Sequence, residues 1–259
     1  MKEIYVSLSG AVAQERNLAI ISNNLANTNT VGFKKDLSIF EAFPPDIDPS
    51  LIQGSIPSSI RILPPDLCGL NENSYTHILK TATDFSNGIL RETKNPFDLA
   101  IDGEGFFAVR TSDGIHYTRK GNFVLNKNGE IVTQNGNPVL DASDSPIRVE
   151  GKNFRVSSNG EIWVDEAKVG EIKIVKFDNP SLLEKVGNTE FKPTRTDIKI
   201  SDATDNATVR QGMLEYSNVS PLSETVEMIN TQYAFNAYQK LIKASDEMTD
   251  GLIRMVLIG

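Results

Sequence analysis

The chain has 259 residues, a formal net charge of −8, 39% apolar and 23% charged residues, and no Lys/Arg-rich block. That balance suits one sizeable globular domain or two small ones, and it argues against phosphate-driven nucleic-acid binding, which needs clustered basic residues. Cys68 is the only cysteine and there are two histidines, so an intramolecular disulfide is impossible, the usual Cys/His zinc spacings cannot be built, and no metal or cofactor is expected.

Ile4, Ala11, Leu18 and Leu25 recur every seven positions, with Leu8 and Ile21 on the same face. The spacing predicts an amphipathic helix of about six turns whose apolar stripe needs a partner. Gln14, Glu15, Arg16 and Asn17 interrupt the apolar core that a cleaved secretory signal would require, and none is expected. The helix should stop in the run from Ser22 to Lys35: its asparagines compete for backbone hydrogen bonds, and Gly32 permits the positive φ of a chain reversal. Asn27, Gly32 and Phe33 are the candidate determinants of that exit.

Residues 36–83 read as an extended connector with little regular structure. Pro44, Pro45, Pro49, Pro57, Pro64 and Pro65 forbid a long helix and discourage central strands. Phe40 and Phe43 are its candidate anchors. From residue 84 to 217 the pattern turns to β. Apolar runs at 97–101, 106–110 and 172–177 are punctuated by Asp113-Gly114, Asn128-Gly129, Asn135-Gly136 and Asn159-Gly160, dipeptides suited to antiparallel hairpins. The segment from Phe123 to Val132 is echoed by Phe154 to Trp163, so one hairpin unit is used twice.

After Asn218-Val219-Ser220-Pro221, a set that caps a helix and places proline near its start, a second helix runs to the C-terminus. Ala234, Leu241, Met248 and Met255 recur at sevens, flanked on the same side by Ala237, Ala244, Tyr238 and Leu252, as in a coiled-coil seam with small residues for close approach. The final apolar run, Leu252 to Ile258, is too short to span a bilayer. The fold class is therefore α+β: N- and C-terminal helices pairing as a coiled coil (1–35 plus 218–259) around a central β-rich antiparallel domain (84–217).

Motifs for chemistry are weak. Gly103-Glu104-Gly105 lacks the third glycine and following helix of a dinucleotide site, and Asn126 to Gly129 is a hairpin turn rather than a calcium loop. Tyr117-Thr118-Arg119-Lys120 reads as a surface strand end. His116 and Asp113 have no serine in a nucleophile context, and Cys68 has no basic neighbour to activate it. No catalytic residue, metal ligand or cofactor site is assigned, and no small-molecule substrate is expected. The carboxylates Asp102 and Glu104 motivate the competing reading, an oligomeric β-domain carbohydrate-binding protein or hydrolase.

Asn23-Asn24-Leu25-Ala26-Asn27 followed by Thr30-Val31-Gly32-Phe33-Lys34 resembles the signature of bacterial flagellar basal-body rod and hook proteins. Two further blocks are similar to that family in the same order: Asp102 to Phe107 with Tyr117 to Phe123, and Gln211 to Val219 with Met228 to Ala234. Length and the modest insert look most like the proximal-rod members, with the distal-rod members second. The resemblance implies a structural subunit of the periplasm-spanning rod, not an enzyme. It would polymerise through its terminal helices into a torque-transmitting tube. The implied partners are copies of itself, other rod and hook proteins, and the flagellar type III export apparatus, which needs no cleaved signal; nucleic acid and membrane insertion are not implied. The assembly interface would comprise Ile4, Leu8, Ala11, Leu18, Ile21, Leu25, Asn27, Gly32, Phe33, Ala234, Ala237, Leu241, Ala244, Met248 and Met255.

Overall fold

The computed structural model describes residues 2–43, 75–151, 153–187, 189–195, 200–202 and 207–258. Helix α1 spans Lys2–Ala26 and helix α2 spans Pro221–Ile258. Pro221 opens α2 where a backbone N–H is not needed, and Glu224 in the first turn complements the positive end of the helix dipole.

Seventeen strands are described between the helices, in chain order: β1 Asp36–Phe43, β2 Tyr75–Thr83, β3 Leu90–Glu92, β4 Leu99–Gly103, β5 Phe106–Thr111, β6 Gly114–Thr118, β7 Val124–Leu125, β8 Ile131–Val132, β9 Phe154–Val156, β10 Glu161–Val164, β11 Ala167–Glu171, β12 Ile174–Phe177, β13 Leu183–Gly187, β14 Glu190–Pro193, β15 Ile200–Asp202, β16 Ala207–Gln211 and β17 Met213–Glu215. Together with the two helices they make an α+β chain with an antiparallel β-rich middle.

The described residues pack as two compact units, one drawn from 1–23, 36–82 and 222–259, the other from 24–35 and 83–221. In the first, two contacts between α1 and α2 are defined among the described residues. Asn17 Nδ2 donates to Thr231 Oγ1 at 3.2 Å, and the face of Gly10 lies so close to Tyr238 that an added Cβ would sit 2.5 Å from the ring. Both contacts join residues whose numbers sum to the same value, as an antiparallel pair requires. The strands β1 and β2 pair with each other, and Ser38 on β1 donates to Asn17 Oδ1 at 2.7 Å. The ends of the 36–83 segment are thus strands rather than irregular connector. Its six prolines all lie between them, outside the described residues, and leave Asp36–Phe43 and Tyr75–Thr83 free to form a ladder. Cys68 also lies outside the described residues.

The second unit is built on a six-stranded sheet ordered β13-β14-β6-β5-β12-β15. Strand β5 explains its two-sided burial. Phe107 and Val109 face one apolar cluster with Leu99, Phe123 and Ile174, while Phe106 and Ala108 face another with Tyr117, Phe177 and Phe191. Side chains alternate between the faces of a strand, so an unbroken apolar run marks a strand covered on both faces. The hairpin turns form where the sequence indicates: Gly129 and Gly160 have φ of 73° and 86°, conformations that glycine adopts without the Cβ penalty.

Candidate functional site

The second unit closes around the helix exit. Leaving α1, Asn27 N–H bonds Asn24 O at 3.1 Å, and Thr30 Oγ1 donates to Asn27 Oδ1 at 3.0 Å. The side chain of Asn27 thereby absorbs a polar group at the point where helical bonds run out. The chain then reverses at Gly32, which has φ +70° and donates its N–H to Glu215 O at 2.8 Å. A Cβ there would lie 2.5 Å from the backbone nitrogen of Lys120, so both conformation and space demand glycine.

Beyond the reversal, Lys34 enters the interior. Its Nζ lies 2.6 Å from Glu215 Oε1 and donates to Ser86 O at 2.7 Å; both charged side chains are 1% exposed. Arg119 approaches the other carboxylate oxygen, with Nη1 3.1 Å from Glu215 Oε2 and its side chain 3% exposed. Gly88 N–H adds a bond to Glu215 Oε1 at 2.8 Å. Two cations thus share one anion. The excess positive charge is taken up by carbonyls, since Arg119 also donates to Ile101 O and Gly103 O. Burial pulls the Lys34 ammonium below its ordinary range, with Glu215 opposing the shift, and burial likewise lowers Arg119.

A second clasp lies beside the triad. Asn218 Oδ1 accepts from Lys35 N–H at 2.8 Å, and Asn218 Nδ2 donates to Asp84 O at 3.0 Å. Asp84 N–H returns a bond to Lys35 O at 2.8 Å. Lys185 Nζ donates to Lys34 O at 2.6 Å and sits 4.4 Å from the centre of the buried Phe33 ring. Three segments remote in sequence, 27–35, 84–88 and 215–218, are therefore locked by polar groups whose partners are all inside the protein.

Of the residues singled out in sequence, Gly32 and Phe33 are buried at this junction, and Asn27 is half-buried at its entrance. Packing groups residues 24–35 with the β-rich unit, although 1–35 reads in sequence as helical, because Gly32, Lys34 and Lys35 spend their bonds on Glu215 and Asn218. Ala11 and Ile21 are buried, Leu18, Leu25 and Ala234 half-buried, and Leu8, Ala237, Leu241, Ala244 and Met248 exposed. The side chains of Ile4 and Met255 lie outside the described residues. The described contacts between α1 and α2 run through Gly10, Asn17, Thr231 and Tyr238; Tyr238 flanks the predicted seam, and Ala234 and Leu241 each lie one turn beyond a contact residue.

Arg119 is a correction: it is buried in the triad, not at a surface strand end. Arg119 lies between Thr118 and Lys120, and Glu215 between Leu214 and Tyr216, so neither carried a local signal for a buried ion. Asp102 and Glu104 do not converge. Asp102 pairs with Arg210 at 3.1 Å and Glu104 with Lys176 at 2.5 Å, the latter lowering the Glu104 carboxyl from its ordinary value. Among the described residues there is no group of three or more potential metal ligands, and no helix long and apolar enough to cross a membrane.

Two helical chain ends gathered in one unit, with a β-rich middle bonded internally to the helix exit, define an α+β class in which the two ends of the chain are brought together. The family comparisons sharpen that class. The family described as flagella basal body rod protein matches residues 4–34, the flagellar hook protein FlgE/F/G D1 domain matches 100–164, and the flagellar basal body rod FlgEFG protein C-terminal family matches 210–255. The chain is 33% identical over 253 residues to the flagellar basal-body rod protein FlgF of Mesorhizobium japonicum, covering 97% of this chain and 96% of that one. It is 34% identical over 263 residues to FlgG of Buchnera aphidicola subsp. Schizaphis graminum, covering 97% and 98%, and 33% identical over 269 residues to FlgG of Bacillus subtilis, covering 98% and 99%. The chain belongs to the flagellar basal-body rod protein family.

Proposed function

We propose that this chain is a non-enzymatic building block of the proximal rod. Its terminal helices pair as an antiparallel coiled coil, and the coiled coils of neighbouring subunits, of its own kind and of other rod and hook proteins, pack into a helical tube that carries torque. The observation that carries the reading is the pair of contacts Gly10 with Tyr238 and Asn17 with Thr231. They lie seven residues apart on each helix, the repeat of a coiled-coil seam. A buried asparagine in such a seam costs stability and selects one register.

Away from these contacts α2 is apolar and exposed at Leu222, Val226, Ile229 and Tyr233, and Leu241 and Met248 are exposed on its flank. An apolar surface of that extent suits contact with other subunits. The predicted interface therefore divides: Ala11 and Ile21 support the fold of one chain, while Leu241 and Met248, with Ala237 and Ala244, face neighbours. Proximal placement is supported by FlgF relatives that are 33% identical over 253 and 248 residues, and FlgG relatives match at similar identity. Distal placement is the alternative within the family. Export through the flagellar type III apparatus without a cleaved signal follows from the same reading.

Deletion of the gene in its host, complementation with a tagged copy and imaging of purified basal bodies test this. The expected result is loss of rod and hook on deletion, restoration by the copy, and label at the proximal rod. Label at the distal segment would select the alternative, and basal bodies complete without the chain would overturn the reading.

A further inference from the structure

The second copy of the repeated hairpin carries side chains that its architecture does not require. In the first copy, Val124 on β7 stands opposite Val132 on β8; in the second, Arg155 on β9 stands opposite Trp163 on β10. The framework is otherwise kept. Phe123 and Phe154 are buried, as are Ile131 and Ile162, and both turns hold glycine at positive φ. An apolar cross-strand pair has become an indole beside a guanidinium, and Trp163, the only tryptophan of the chain, is 37% exposed.

These two residues line a cavity of about 510 Å³, with Asn153, Val156, Ser157 and Glu166 also on its wall. That volume lies in the range of small-ligand sites. Beside Trp163 on the same strand, the Glu161 carboxylate is held by Lys168 at 2.6 Å. Among the described residues neither the Arg155 guanidinium nor the Glu166 carboxylate has an ion-pair or hydrogen-bond partner.

Glu166 is also held against its backbone preference. Asp165 and Glu166 form the two-residue turn between Val164 and Ala167 with φ of 46° and 72°, a conformation that usually selects Asn-Gly. Asp165 fastens the turn, its Oδ1 accepting from Asn153 N–H and its own N–H bonding Asn153 O, both at 3.1 Å. Strain retained at a non-glycine residue on a cavity rim is a feature of ligand sites.

We propose that this cavity is a saccharide-binding site. A pyranose ring presents an apolar C–H face that stacks on the indole of Trp163. Its equatorial hydroxyls both donate and accept, matching a rim that supplies a donor-only guanidinium, an acceptor carboxylate, a side-chain amide and a hydroxyl. A purely apolar ligand would leave Arg155 and Glu166 desolvated, and a simple anion would meet Glu166 unfavourably. The site is independent of the junction and of Asp102 and Glu104.

The single tryptophan makes the test direct. Emission of the full-length chain is titrated with chitotetraose and cellotetraose, with calorimetry alongside. The expected result is a saturable change in Trp163 emission at millimolar sugar or below, weakened roughly tenfold or more in R155A and E166A. Both variants should keep the wild-type thermal midpoint, since these side chains make no internal bond. Absence of saturable emission change and heat with both sugars would overturn the proposal. So would binding left unaltered by both substitutions.

Discussion

Lys34 and Glu215 stand 181 positions apart in sequence, yet Nζ and Oε1 meet at 2.6 Å with both side chains 1% exposed. One residue belongs to the helix exit and the other to the last strand before α2. Their contact, shared with Arg119, ties the two ends of the β-rich unit to each other.

The charge count of the triad orders its substitutions. Glu215→Gln leaves Lys34 and Arg119 facing each other without an anion and should destabilise the chain by about 3–5 kcal/mol. Lys34→Met leaves the Arg119–Glu215 pair intact but removes the Lys34 bonds to Glu215 Oε1 and Ser86 O, at a cost of about 1–3 kcal/mol. Urea unfolding of the two variants checks this, and an equal or reversed order would show that Lys34 is the principal partner.

At the reversal, Gly32→Ala should lower stability by roughly 1–3 kcal/mol from the left-handed backbone alone, with more from the backbone of Lys120. Gly136→Ala serves as the control: φ is also positive there, at +85°, but no atom lies within 4 Å of the added Cβ. Similar midpoints for the two variants would mean that close approach to Lys120 contributes nothing.

Cutting the chain at different sides of the exit separates the units. A fragment beginning at residue 24 and ending at 221 retains Gly32 and Lys34 and should unfold cooperatively. One beginning at residue 36 loses both and should be weaker by an amount comparable with Glu215→Gln, read from denaturant midpoints. Indistinguishable midpoints would assign residues 24–35 to the helices after all.

Alkaline pH offers a probe of the second core. Burial first, and the charge of Asp144 next, raise the Tyr117 phenol above its ordinary 10.0. A raised folded value means that its contribution is fully present below pH 10 and declines as pH rises through the folded value. Phenolate absorbance should therefore show one late-titrating group that disappears in Y117F, and Y117F should flatten the loss of stability above pH 10. Phenols titrating alike in both proteins would contradict this.

The exposed apolar residues of α2 can be separated from those that touch α1. Leu241→Glu and Met248→Glu, at positions 57% and 63% exposed, should leave the helical content of the isolated chain unchanged while abolishing incorporation into basal bodies. Thr231→Leu should act oppositely, lowering hydrogen-exchange protection of the helices by removing the partner of Asn17. Normal incorporation of both glutamate variants would remove these positions from the assembly interface.

Local order was legible in the sequence because local physics causes it. The seven-residue spacing from Ile4 to Leu25 sets α1, the proline before Leu222 opens α2, and the Asn-Gly pairs fix hairpin turns through backbone sterics that no distant residue alters. The prolines between 44 and 65 obscured the strands on either side, since a breaker dominates any window that contains it. Tyr238 was legible on the seam side of α2, whereas Thr231 was not. A polar residue gives no apolar periodicity, and its partner Asn17 is 214 positions away.

The sequence alone determined the α+β order of elements, the helix exit at Asn27 to Gly32 and, through its ordered motifs, the family. Only the tertiary structure decided that Lys34, Arg119 and Glu215 share one interior site, and that Arg155 and Trp163 open onto a cavity. An ion pair across 181 positions has no local signature, because its stability depends on desolvation and on carbonyls that folding alone brings within reach.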